Sequence, residues 1–246
     1  PFLFCFSLLG FSLLSLPLRS DPSHLTPHRS TWQIDGFDIS KIGLSRLRQS
    51  MAIIPQDPVL FSGTIRENLD PFDDHTDEEI RAVLSQINLG TKFIESGKGL
   101  KSEIEENGEN LSVGERQLVC LGRAMLKKVK ILVLDEATAS VDVATDALIQ
   151  RTIREVFPDC TVLTIAHRLN TIIDSDRVLV MSQGEVAEFQ HPSVLLDDPS
   201  SMFSSMVDEL GPDAAAYLRA VARGEEEMDF SGRRSHEEAG ATSPES

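Results

Sequence analysis

The sequence is short of positive charge. Its 246 residues hold 23 Lys plus Arg against 39 Asp plus Glu, a formal net charge of −16. Such a surface repels nucleic acid and anionic lipid headgroups alike, which weighs against nucleic acid as a partner. Cysteine is scarce as well. Cys5, Cys120 and Cys160 stand far apart in no metal-ligand spacing and read as reduced, buried cytosolic thiols. Nowhere does a glycine-rich turn lead into Lys and then Ser or Thr, the pattern whose backbone N–H groups wrap phosphates while the Lys neutralises them. Ser96-Gly97-Lys98-Gly99 comes nearest, but it lacks an earlier glycine, a hydroxyl residue after its Lys and an apolar strand before it. The chain does not open with Met, which suggests a fragment or a processed product, and its length suits one sizeable domain with or without tails.

Two blocks stand out among what is present. Asn110-Leu111-Ser112-Val113-Gly114-Glu115-Arg116-Gln117 reads as a turn that opens a helix. Ser112 suits the N-cap, Glu115 completes a capping box three positions on, and Gly114 has no side chain to obstruct close approach. A helix start carries unpaired N–H groups and a positive dipole end, so it suits a phosphate. About twenty residues later, Ile131-Leu132-Val133-Leu134 runs straight into Asp135-Glu136. A strand buried on both faces has that composition, and function in such sheets gathers at the strand's carboxyl end. Either block alone would pass for ordinary core; the two together, in this order, favour nucleotide chemistry.

These residues resemble the ATP-binding-cassette (ABC) family. Leu111 to Gln117 is similar to its signature sequence, and Ile131 to Glu136 to its Walker B strand with the catalytic glutamate attached. Further matches follow in family order: Gln56 in Ile53-Ile54-Pro55-Gln56-Asp57 as the Q-loop, Ser140-Val141-Asp142 as the D-loop, and His167 in Ile165-Ala166-His167-Arg168 as the switch histidine. The stretch from Pro55 to Pro71 is worded like an exporter, most like the second, carboxy-terminal nucleotide-binding domain of the multidrug-resistance-associated subfamily C. The resemblance runs from about Ile34 to Leu210 and implies an α/β fold, a P-loop NTPase-like sheet core with a helical subdomain over about 56–110. Its main departure is the absent phosphate loop (Walker A), together with the aromatic residue that should stack on adenine. The amino-terminal part of the core is therefore expected to be incomplete, with 1–31 a non-homologous segment, 32–210 the partial cassette and 211–246 a short helix and an acidic, disordered tail.

Taken in order, Pro1 to Leu18 is Phe, Leu and Ser without charge, borderline in length for a membrane span and more plausibly buried or unstructured. Gln33-Ile34 and Met51 to Ile54 read as strands, and Leu44 to Arg48 as a helical turn. Thr64 to Leu69 starts a helix stopped by Pro71. Thr76-Asp77-Glu78-Glu79 is a capping box for a helix whose apolar face is Ile80, Val83, Leu84 and Ile87, ending near Gly90. Ala144 to Val156 reads as a helix, Thr161 to Ile165 as a core strand, and Arg177 to Met181 with Glu185 to Phe189 as a hairpin about Gln183-Gly184.

The resemblance assigns chemistry residue by residue. Asp135, with Gln56, would hold Mg2+ on the β and γ phosphates of ATP. Glu136 would act as general base on the attacking water, and His167 would hold the γ phosphate. Asp142 would meet a partner domain. Two such domains pack head to tail, so Ser112, Val113, Gly114 and Glu115 would close over a nucleotide held by the partner. Val113 and Glu115 stand where the family usually has Gly and Gln, and the carboxylate is expected to repel nucleotide modestly. The implied protein is an exporter ATPase on the cytoplasmic face of a membrane, working with transmembrane domains and a second nucleotide-binding domain. Against it stand a truncated cassette acting only as an interaction module and, disfavoured by the exporter wording, a soluble cassette of translation or repair.

Overall fold

In the computed structural model the backbone of residues 2–7 is described, and residues 33–95, 97–137, 141–166 and 168–228 are described in full. The first strand, β1 (Phe2–Ser7), comes from the apolar amino-terminal stretch. A hairpin of β2 (Gln33–Ile34) and β3 (Phe37–Asp38) turns at Asp35 and Gly36, both at positive φ (52° and 78°), the conformation an Asp-Gly turn supplies. Then α1 (Leu44–Gln49) leads into β4 (Met51–Ile54).

A helical segment follows. The short strands β5 (Gly63–Thr64) and β6 (Glu103–Ile104) pair antiparallel and bracket α2 (Ile65–Leu69), α3 (Asp77–Gln86) and α4 (Gly90–Phe93). Thr64 and Thr76 each close a reciprocal capping box, with Glu67 and Glu79. Gly90 does not end α3 as its position suggests. That helix stops at Gln86, Asn88 takes the left-handed turn (φ 55°), and Gly90 opens α4 instead. An Asn tolerates that conformation because its short polar side chain can bond locally.

Helix α5 (Val113–Lys127) crosses this segment and bears on the sheet. A Cβ at Gly122 would lie 2.9 Å from Leu69 and 3.2 Å from Ile87, so glycine here sets how closely α5 approaches α2 and α3. After β7 (Ile131–Asp135) come α6 (Val143–Val156), capped by Asp142, and β8 (Thr161–Ile165). The hairpin of β9 (Arg177–Ser182) and β10 (Glu185–Gln190) turns at Gln183 and Gly184, as its sequence implies. Finally α7 (Pro192–Asp197), α8 (Met202–Asp208) and α9 (Pro212–Ala222) form a carboxy-terminal layer.

The main sheet has the order β10-β9-β1-β8-β7-β4, parallel except for β10. β1 lies in its interior, with Phe2 opposite Val162 and Leu3 opposite Arg177. Six residues of the amino-terminal stretch, expected to be buried or unstructured, form this inner strand. The rest of that stretch and the tail from 229 onward lie outside the described residues. One apolar core joins α2, α3 and α5 to β4, β7 and α6; a second joins β9 to α7, α8 and α9. Among the described residues no helix is long and apolar enough to cross a membrane.

Candidate functional site

Parallel pairing brings several strand ends to one edge. Ile54 lies opposite Leu134, Asp135 opposite Ile165, and Ile165 opposite Cys5. The carboxyl ends of β4, β7, β8 and β1 therefore emerge side by side, where ligands bind in open α/β sheets. Asp135 is the last residue of β7 and is half-buried. Glu136 then takes a left-handed conformation (φ 47°), which a residue with a Cβ adopts only where its surroundings impose it. Its N–H donates to the Ile165 carbonyl at 3.0 Å, tying the first residue past β7 to the end of β8. Glu136 borders a cavity of about 160 Å³ between the sheet and α6, with Leu134, Ile149, Thr164, Ala166 and Arg168. His167 lies outside the described residues, as does Ser140. Asp135, Glu136 and the backbone on either side of position 167 thus lie at the same edge.

Gln56 follows β4 with its side chain exposed, and its backbone is held from a distance. Gln117 on α5, only 1% exposed, donates its Nε2 to the carbonyls of Pro55 (2.9 Å) and Gln56 (3.1 Å). Arg123, two turns along the same helix, donates to the Val59 carbonyl at 2.8 Å and to Asn68. The segment after β4 is therefore pinned to the very helix that begins at Ser112. Gln117 sits inside the signature-like block, yet sequence gave no reason to single it out.

At the head of α5 the capping box forms as the spacing implies. Ser112 Oγ accepts from the Glu115 N–H (3.1 Å), and Glu115 Oε2 accepts from the Ser112 N–H (2.8 Å). Ser112 is exposed, whereas Val113 packs partly against the apolar core. Gly114 is buried, and the closeness it permits is internal: a Cβ there would sit 2.9 Å from Thr145 Cγ2, on the first turn of α6. Glu115 has a partner that the sequence did not reveal. Lys92 Nζ, on α4, lies 2.7 and 2.8 Å from its two carboxylate oxygens. Partial burial raises the Glu115 pKa, but Lys92 and the Ser112 N–H outweigh it and hold the carboxyl below its ordinary range. Glu115 is thus a paired carboxylate rather than a bare one.

Asp142, expected to face a partner, caps its own helix. Its Oδ1 accepts from the Thr145 N–H at 3.0 Å, which holds its carboxyl below the usual range. Four residues on, Asp146 Oδ2 meets Arg168 at 3.3 Å. The first turn of α6 therefore touches the α5 turn on one side and the residue after His167 on the other.

Residues 22–139 match the ABC transporter family model, opening ahead of Ile34, near which the likeness was expected to start. ABC transporter C family member 3 of Dictyostelium discoideum is 57% identical over 190 residues, covering 77% of this chain and 14% of that protein. ATP-binding cassette sub-family C member 4 of Homo sapiens is 52% identical over 197 residues, covering 80% and 15%. The chain carries an ABC transporter nucleotide-binding domain. A solved bacterial Atm1-family ABC exporter with ATP bound superposes on 73% of the ABC chain and 32% of its own length, with a TM-score of 0.67 and 35% identity. This ABC chain spans only 12 to 15% of the length of the curated relatives it matches.

The donors fit a phosphate-bound Mg2+ better than a metal held by protein alone. No group of three or more His, Cys, Asp or Glu among the described residues could hold an ion. Mg2+ takes one or two carboxylates and draws its remaining ligands from substrate phosphates and water. Asp135, with the Gln56 amide just past the end of the adjacent strand β4 on the same edge, suits that role.

Proposed function

We propose that this chain is the second, carboxy-terminal nucleotide-binding domain of a C-family ABC exporter. It stands on the cytoplasmic face of a membrane and couples ATP hydrolysis to transport of a small molecule or conjugate by transmembrane domains. The observation that carries this reading is the placement of Asp135 and Glu136 at a sheet edge formed by parallel strand ends, between those of β4 and β8. Bound Mg2+ would supply charge neutralisation at the β and γ phosphates. Asp135 and Gln56 would orient it, Glu136 would take a proton from the attacking water, and His167 would hold the γ phosphate.

The α5 turn, with Ser112 exposed and its N–H groups at a helix start, suits a phosphate chain presented by a head-to-tail partner. The chain has no lysine-bearing phosphate loop of its own. It therefore lends a half-site more readily than it fills one, and binds MgATP weakly by itself. Calorimetric titration of the chain with MgATP is expected to show no low-micromolar binding. Mixing it with a nucleotide-binding domain that has an intact phosphate loop and a disabled signature serine is expected to raise ATP hydrolysis, and Ser112→Glu in this chain to remove the gain. Tight binding by the isolated chain, or no gain on mixing, overturns the reading.

A further inference from the structure

We propose that Lys92 is a charge-compensating residue for the lent half-site: it supplies the charge that lets Glu115 stand at the head of α5 beside a polyphosphate. The inference rests on the reading that this turn faces a partner's nucleotide.

Three observations meet at the pair. Glu115 is committed on both oxygens, Oε1 to Lys92 and Oε2 to Lys92 and the Ser112 N–H. Lys92 reaches it from a different element, α4, across 23 positions of sequence, so the pairing is made by the fold of the helical segment and not by helix periodicity. Both partners are partly screened from water, the side chains being 42% and 27% exposed. An unpaired carboxylate at a helix start favours the helix but opposes an anion approaching the same N–H groups. With the ammonium bound to it, the pair carries no net charge, and Glu115 retains its capping role. Removing the ammonium leaves the cap in place and exposes the charge.

The groups facing the pair are few. Ser112 contributes an N–H to the carboxylate, and Phe93 lies beneath the ammonium, with its ring centre 5.9 Å from Nζ. Arg116, next along α5, points elsewhere: its Nη1 donates to the Leu111 carbonyl at 2.8 Å. Among the described residues, Lys92 is therefore the cation that acts on Glu115.

The test uses the full chain in the mixing assay described above, with MgATP as the varied reagent. Lys92→Met is expected to raise the ATP concentration for half-maximal hydrolysis about fivefold, the effect of one unscreened unit charge near the phosphates. The rise should shrink on going from low to high ionic strength. Adding Glu115→Gln to Lys92→Met is expected to restore the wild-type value, since the amide keeps the cap and removes the charge. Circular dichroism of each variant checks that the fold is retained. An unchanged half-maximal concentration for Lys92→Met, or a double variant as impaired as the single one, overturns the inference while the half-site reading stands. Failure of the unmodified chain to stimulate hydrolysis overturns that reading and takes this one with it.

Discussion

The clearest test of the site's construction is Gly114→Ala. If glycine serves only to admit a ligand, the substitution should cost binding and leave stability alone. The geometry gives a different answer. The new methyl would lie 2.9 Å from Thr145 Cγ2, 3.2 Å from its Oγ1 and 3.3 Å from its Cβ. Thr145 cannot swing clear by backbone movement without disturbing the cap, because its N–H is bonded to Asp142 Oδ1 at 3.0 Å. Overpacking of this kind costs about 1–3 kcal/mol. Alanine returns at most about 1 kcal/mol in helix propensity, and less this close to the helix start. The net loss is about 1–2 kcal/mol, or roughly 2–8 °C in Tm for a domain of this size. Urea unfolding followed by circular dichroism measures it. Thr145→Ala removes both of the closest atoms, so the double variant should recover at least half of the loss, with a coupling of about 1 kcal/mol. A Gly114→Ala protein as stable as wild type, or one that Thr145→Ala does not relieve, refutes the argument that α5 is seated on α6 here.

Gln117→Leu leaves the Pro55 and Gln56 carbonyls without their donor and should cost about 1–3 kcal/mol, with faster amide hydrogen exchange across residues 56–61 as its signature. Glu188→Ala should lose about 1.5–3 kcal/mol by thermal unfolding, because its carboxylate accepts from the Met202 and Phe203 N–H groups (2.6 and 3.2 Å) and the Ser201 hydroxyl at the head of α8. For Glu115, whose folded-state pKa lies below its ordinary 4.5, the stabilisation from Lys92 and Ser112 is present above that value and is lost as pH falls through the folded one. The Tm difference between wild type and Glu115→Gln should accordingly be full at pH 7 and vanish in strong acid; a difference that grows on acidification contradicts the pairing.

Local signals in the sequence carried most of the local structure. Ser112, Thr64 and Thr76 cap where their spacing with Glu requires, because a capping box is complete within four residues. Gln183-Gly184 makes its hairpin for the same reason. What the sequence left unread shares a cause in distance. Phe2–Ser7 has no periodicity to distinguish a strand from an apolar run, and its neighbours β8 and β9 lie far away in sequence. The role of Gly114 depends on Thr145, and the tolerance of Glu115 depends on Lys92. Asp135 and Glu136 were readable because a buried parallel strand announces its own end; how Gln117 fastens the segment after β4 was not.

The inner position of β1 constrains biosynthesis. Phe2 must wait for Val162, and Ser7 for Met181, before either edge of the strand is satisfied. At ordinary elongation rates the ribosome takes about 10–35 s to make what lies between. Throughout that interval an uncharged Phe- and Leu-rich ribbon has both flanks unpaired, the kind of segment that seeks other chains. Deleting those six residues would leave β9 and β10 with no seam joining them to β8, β7 and β4, so one sheet would become two.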